Sequence, residues 1–170
     1  MTIDYDPTRI DIDVDPTQQR MSGYAAHGNT PFDVPYITEI VPGLWQGGCT
    51  NGLKLPHQIK HLVSLYPWES YDVDQQLDSK LEVRMYDSTG QGFDQVDALA
   101  EWVNVCRPGG PVLVHCQAGL NRSSLVVARA PILEGMDPDD AISLIRDKRS
   151  AACLCNTSFL RWLKVQVPGK

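Results

Sequence analysis

The run Pro111-Val-Leu-Val-His115, followed by Cys116-Gln-Ala-Gly-Leu-Asn121 and then Arg122–Leu133, constrains this chain more than any other stretch. The apolar run is short and unbroken, as in a strand covered on both faces. The residues after it carry turn chemistry, and the next segment has helical patterning, with Pro131 predicting a kink or an early stop. A strand buried on both faces needs helices packed on both sides of its sheet, which points to an α/β layered fold.

The rest of the chain fits that class. Strand patterns fall at Tyr36–Ile40, Gly43–Gly48, His61–Tyr66 and Leu81–Tyr86. A short helix is predicted over Leu55–Lys60, and a loop with one helical turn over residues 67–80. Apolar residues at 96, 99, 102, 103 and 106 line one helix face in Phe93–Cys106, and Arg107-Pro-Gly-Gly-Pro ends it. Asp137-Pro138 reads as a capped helix start running to about Lys148, and Asn156 can cap a last helix through Val165. The predicted architecture is a central, mostly parallel sheet flanked by helices.

Charge divides the chain of 170 residues in two. Residues 1–35 hold six Asp and two Arg with no Glu or Lys, so they carry −4 of the formal −6. Arg9–Asp15 alternates Ile10, Ile12 and Val14 with Asp11, Asp13 and Asp15, the pattern of a half-buried edge strand. A calcium loop would need Gly and Glu where Pro16 and Ser22 stand. Residues 16–35 lack apolar periodicity, so residues 1–35 read as an acidic N-terminal arm and residues 36–170 as a nearly neutral catalytic domain. Such a balance excludes a polycation drawn to nucleic acid or anionic lipid. Five Cys without a C-x-x-C pair argue against a disulfide scaffold or zinc ribbon, and no apolar stretch is long enough to span a bilayer. The expectation is a soluble, reduced, cytoplasmic protein without membrane contact.

The candidate site lies at the carboxyl end of the buried strand, where open α/β sheets bind ligands. Cys116 leaves that strand, and Arg122 opens a helix six residues later. The intervening Gln117, Ala118, Gly119, Leu120 and Asn121 can curl around a phosphate, presenting backbone N–H groups while Gly119 permits an unusual backbone angle. Arg122 adds a planar fork for two phosphoryl oxygens. A cradle of this kind stabilises a thiolate as well as a phosphate, so the loop supplies both nucleophile and receptor. Cys155 and Arg161 share the same spacing, but no apolar strand precedes them and no glycine separates them, which marks Cys155 as a packing thiol. Transfer to Cys116 also needs a proton donor for the leaving oxygen. Asp87, in the Gly-flanked Asp87-Ser-Thr-Gly-Gln-Gly turn 29 residues upstream of Cys116, is preferred, with Asp94 as runner-up and candidate helix cap. His27, His57 and His61 lack ligand spacing, so no metal and no cofactor is called for. Trp68 is the one tryptophan placed to face substrate.

His115-Cys-Gln-Ala-Gly-Leu-Asn-Arg-Ser-Ser124 resembles the H-C-x-x-G-x-x-R-S/T signature of the cysteine-dependent protein tyrosine phosphatases, and the short domain resembles their dual-specificity branch. Ile37–Gly47 is similar to the family's opening strand pair, and Ile145–Arg149 with Asn156–Leu160 to its helix, arginine turn and last helix. Cys155 stands in place of the usual Pro, and Trp45-Gln46 in place of Tyr-Leu. The resemblance implies a dual-specificity phosphatase-like fold, Asp87 as general acid, Ser123 as hydrogen-bond partner of the departing thiolate, His115 as a brace for the loop, and Ser124 as a supporting residue. The implied substrates are phosphoproteins bearing phosphotyrosine and also phosphoserine or phosphothreonine. The Gly-Leu-Asn-Arg ending also resembles the RNA 5′-triphosphatase branch, which stays open, as do a non-catalytic phosphate-binding module and a sulfur- or arsenate-handling enzyme. The absence of Lys from the loop disfavours phosphoinositides.

Overall fold

The computed structural model describes residues 5–170. Strands β1 (Ile12–Asp15), β2 (Arg20–Ala25) and β3 (Thr30–Pro35) form an antiparallel sheet in that order. A second sheet holds β4 (Ile37–Val41), β5 (Leu44–Gly47), β6 (His61–Ser64), β7 (Ser79–Glu82) and β8 (Val112–His115). Its order is β4-β5-β8-β6-β7, with β4 antiparallel to β5 and every other pair parallel. Helices α1 (Asp94–Cys106), α2 (Arg122–Leu133), α3 (Pro138–Lys148) and α4 (Thr157–Lys164) complete the fold. Among the described residues no helix is long and apolar enough to cross a membrane.

The apolar run of β8 sits at the centre of the five-stranded sheet with all four residues buried, as its sequence predicts. Helix α2 is buried along nearly its whole length and packs on α1, α3 and α4. It continues through Pro131 to Leu133, contrary to the expected break. A proline this near a helix end forfeits only one late hydrogen bond, and the Glu134 N–H donates to the Pro131 carbonyl to close the turn. Asp137 and Asn156 cap α3 and α4 by accepting from Asp139 N and Ser158 N.

Three expectations fail for reasons of pairing. Leu55–Lys60 is not helical, because the N–H groups of Leu55 and Lys60 donate to Asp72 and Pro111 carbonyls in neighbouring segments. The strand expected over Leu81–Tyr86 is β7, which ends at Glu82 where its partner β6 ends at Ser64. From there the chain runs irregularly to Asp87.

The third concerns residues 16–35, read as part of an arm without apolar periodicity, which contain β2 and β3. Met21 pairs with Val34 and Gly23 with Phe32. Met21, Ala25, Phe32 and Val34 enter the same apolar core as Val114 and Leu125. Pro31 and Pro35 are tolerated because β3 is an edge strand. Gly23 leaves room for the Asp11 carbonyl and the Phe32 ring, which a Cβ would approach to 2.8 and 3.2 Å.

Since Met21 is fully buried, Met21→Ala should destabilise the whole protein by about 2–5 kcal/mol in urea unfolding, in one transition. A solvated arm would give no change.

Candidate active site

The loop from Cys116 to Asn121 is held from outside by its carbonyls. Gln117 O accepts from Cys49 N (3.0 Å) and Ala118 O from Arg149 Nη2 (3.0 Å). Gly119 O accepts from Arg149 Nε (2.7 Å) and Gln46 Nε2 (3.0 Å), and Leu120 O from Leu154 N (2.9 Å) and Ser124 Oγ (2.7 Å). With four successive carbonyls engaged on the outside, the amides of the loop turn toward its centre. Gly119 has φ +71°, and a Cβ there would come within 2.5 Å of the Gly47 backbone, so the position requires glycine. Asn121 precedes α2 without a side-chain cap, which leaves the first turn of that helix open toward the cavity.

Cys116 is buried at the wall of this cavity, with its Sγ 3.3 Å from Ser123 Oγ. Gln46 Nε2 also donates to Ser123 Oγ (3.2 Å) and Ser124 Oγ (2.7 Å). Arg122 is packed under the Tyr66 ring, 5.3 Å from its centroid, and its Nη1 donates to Met85 O (2.9 Å) and to Asp6 Oδ2 (2.7 Å). Burial works against the guanidinium charge, but Cys116, Asp6 and Asp87 outweigh it and raise its pKa above the ordinary arginine value. His115 is fully enclosed, edge-on to Tyr71, with Nδ1 3.1 Å from Cys116 O. Burial pushes its pKa down to about 4, which favours the neutral ring.

Asp87 lines the same cavity as Cys116, Gln117, Ala118, Leu120, Asn121 and Arg122. Its carboxylate accepts from Asn121 Nδ2 (3.0 Å) and Asn156 Nδ2 (2.9 Å), and His27 Nε2 lies 3.0 Å from Oδ1. Asp94, the alternative acid, is exposed as the first residue of α1; Phe93 occupies the cap position, so Asp94 neither caps nor lines the cavity. Cys155 packs on Asn121 with its pKa raised by burial, in keeping with a packing thiol. Trp68 lies between Tyr66 and Tyr86 and does not line the cavity. No group of metal-ligating side chains occurs among the described residues.

Sequence reasoning missed Gln46, Arg149, His27, Asn156 and Asp6 as neighbours of the site. Gln46 enters the sequence reading only as a scaffold departure, Asn156 only as a cap and His27 only as a histidine without ligand spacing. Their roles come from contacts spanning 30 or more residues with no local pattern.

A profile of the family described as "Dual specificity phosphatase, catalytic domain" matches residues 49–166, and the chain belongs to that family. The human protein tyrosine phosphatase type IVA 3 is 46% identical over 76 residues, covering 41% of this chain and 43% of that protein. The PRL-1 phosphatase of Drosophila melanogaster is 33% identical over 105 residues, 58% of each chain. The chain thus aligns with about half the length of these curated relatives. Among solved structures, the human tyrosine phosphatase-like serine/threonine/tyrosine-interacting protein superposes with TM-score 0.62 at 26% identity, over 75% of this chain and 93% of that one. A mouse putative dual specificity phosphatase complexed with zinc tungstate gives 0.60 at 19% identity, over 76% and 87%.

The depressed His115 pKa predicts a pH-dependent stability. The unfolded chain binds a proton near pH 6.5 that the folded chain resists until about pH 4, so stability present above pH 6.5 is lost as pH falls across that window. The loss reaches roughly 3 kcal/mol, and His115→Asn should flatten this part of a urea-unfolding pH series. An unchanged slope would mean that folding does not alter proton binding at His115, contrary to the burial argument.

Proposed function

We propose that the chain is a phosphomonoester hydrolase working through a phosphocysteine, acting on phosphotyrosyl and on phosphoseryl or phosphothreonyl proteins. One observation carries this reading: Cys116, the Arg122 fork and Asp87 converge on one cavity whose loop carbonyls from Gln117 to Leu120 are engaged on the outside. In the first step the Cys116 sulfur attacks phosphorus, the ester P–O bond breaks, and protonated Asp87 gives its proton to the leaving oxygen. Loop amides and Arg122 bind the three equatorial oxygens, where charge builds up. In the second step water attacks phosphorus while Asp87 takes its proton, the P–S bond breaks, and inorganic phosphate leaves. Ser123 Oγ, 3.3 Å from Sγ, is placed to hydrogen-bond the returning thiolate.

A non-catalytic phosphate-binding module would dispense with the nucleophile or the acid, and both are present. The names of the relatives, as tyrosine phosphatases, support a phosphoprotein substrate, and a loop without Lys suits a single phosphate better than the chain of phosphates on an RNA 5′ end. All five cysteines are free thiols, which supports a reducing compartment such as the cytoplasm.

Hydrolysis of an aryl phosphate should vanish in Cys116→Ser and fall about 10²–10⁴-fold in Asp87→Ala. Activity surviving Cys116→Ser would overturn the mechanism. Comparison of phosphotyrosyl, phosphothreonyl and RNA 5′-triphosphate substrates should give the phosphopeptides the higher kcat/KM.

A further inference from the structure

One acidic residue before β1, Asp6, reaches into the candidate site. Asp6 is 2% exposed, although it lies near the end of a segment whose neighbours Tyr5 and Pro7 are exposed. Its Oδ2 accepts from Arg122 Nη1 at 2.7 Å, on the guanidinium that the mechanism assigns to phosphoryl oxygens. Its Oδ1 accepts from Thr8 N (2.8 Å) and Thr8 Oγ1 (2.6 Å), so a local turn presents the carboxylate ready-shaped. Thr8 Oγ1 in turn accepts from Asp87 N (3.0 Å), on the acid's own loop. Farther along, the Gln117 side chain clamps the main chain of Ile10, donating to its carbonyl (2.8 Å) and accepting from its N–H (3.0 Å). Thr8 and Ile10 line the cavity, and only about 10 Å³ is left in it, the space of a single water.

From this geometry we infer that residues 6–10 are a tethered pseudosubstrate: the Asp6 carboxylate stands where a substrate phosphoryl group binds, and the following residues follow the path of an extended substrate peptide. The inference rests on the phosphatase reading of the same site and adds to it a means of control and a mode of recognition. A phosphate and Asp6 compete for Arg122, so segment 6–10 must leave before substrate enters. Gln117 then reads the main chain of the incoming peptide as it reads Ile10. The segment also touches Asp87 through Thr8, so the same departure frees the acid's loop. The excess negative charge of residues 1–35 is the electrostatic counterpart of an anion-binding cavity.

A site open in only a fraction of molecules binds its ligand more weakly by that fraction. In the full chain, Asp6→Ala should therefore lower both KM for p-nitrophenyl phosphate and the inhibition constant of inorganic phosphate, together and by about tenfold or more if a tenth of the molecules are open. A synthetic peptide of residues 1–12 should inhibit the Asp6→Ala enzyme competitively, and the same peptide carrying Asp6→Ala should not. Asp6→Asn, nearly the same in shape, repeats the measurement should the alanine variant fold poorly. Unchanged or increased constants in a folded variant, or a peptide that inhibits without regard to Asp6, would overturn the inference. Calorimetric phosphate binding to Cys116→Ser with and without Asp6→Ala needs no turnover. A tighter phosphate site in a chain that hydrolyses nothing would uphold the pseudosubstrate and sink the phosphatase reading, and vigorous hydrolysis with no effect of Asp6 would do the reverse.

Discussion

Arg149 is the side chain on which the site depends. Its guanidinium is buried and donates to Gly119 O and Ala118 O in the loop, to Pro35 O at the end of the N-terminal sheet, and to Thr38 Oγ1 on β4. Burial lowers its pKa from the ordinary arginine value, partly offset by Cys153, Cys116 and Tyr71. A buried charge is tolerated only when its donors are engaged, and here the acceptors are mostly backbone carbonyls that need partners of their own. One cation thus fixes the outward orientation of two loop carbonyls and with it the inward orientation of the amides. It also ties the N-terminal sheet to the five-stranded one, which makes the loop's shape a property of the whole fold.

Asp87, the proposed acid, has a comparable arrangement. Asp87 sits in an irregular segment beyond β7, yet Asn121 from the loop, Asn156 from the cap of α4 and His27 from the N-terminal sheet region hold its carboxylate. Each of these elements is anchored elsewhere, so the loop, the last helix and the first sheet share the task of placing one carboxyl group. Asn156 shows how closely structure and chemistry overlap: its Oδ1 caps α4 while its Nδ2 reaches Asp87.

What could be read from the sequence was what local chemistry encodes. Val112–His115 had to be a covered strand, Asp137-Pro138 a helix start, and Cys116–Arg122 a tight turn from strand into helix, because spacing and turn residues within a short stretch decide each. The N-terminal sheet was harder to see. Its alternation is present in Met21, Gly23 and Ala25 and in Phe32 and Val34, but a glycine and two prolines interrupt it, and only the close packing around Gly23 and the edge position of β3 explain them. Gln46 and Arg149 were illegible as loop supports because their partners lie 30 to 78 residues away. The contact of Asp6 with Arg122 spans 116 residues, and the crowding of Asp before residue 35 was its one trace in the sequence.

The central claim is that one loop is at once the receptor for phosphate and the nucleophile. Rapid acid quenching of the enzyme during turnover of an aryl phosphate, followed by peptide mass spectrometry, tests it most directly. The account predicts a phosphoryl group on the peptide containing Cys116, at the thiol. A phosphoryl group on any other residue, or turnover with no covalent adduct on Cys116, would contradict it.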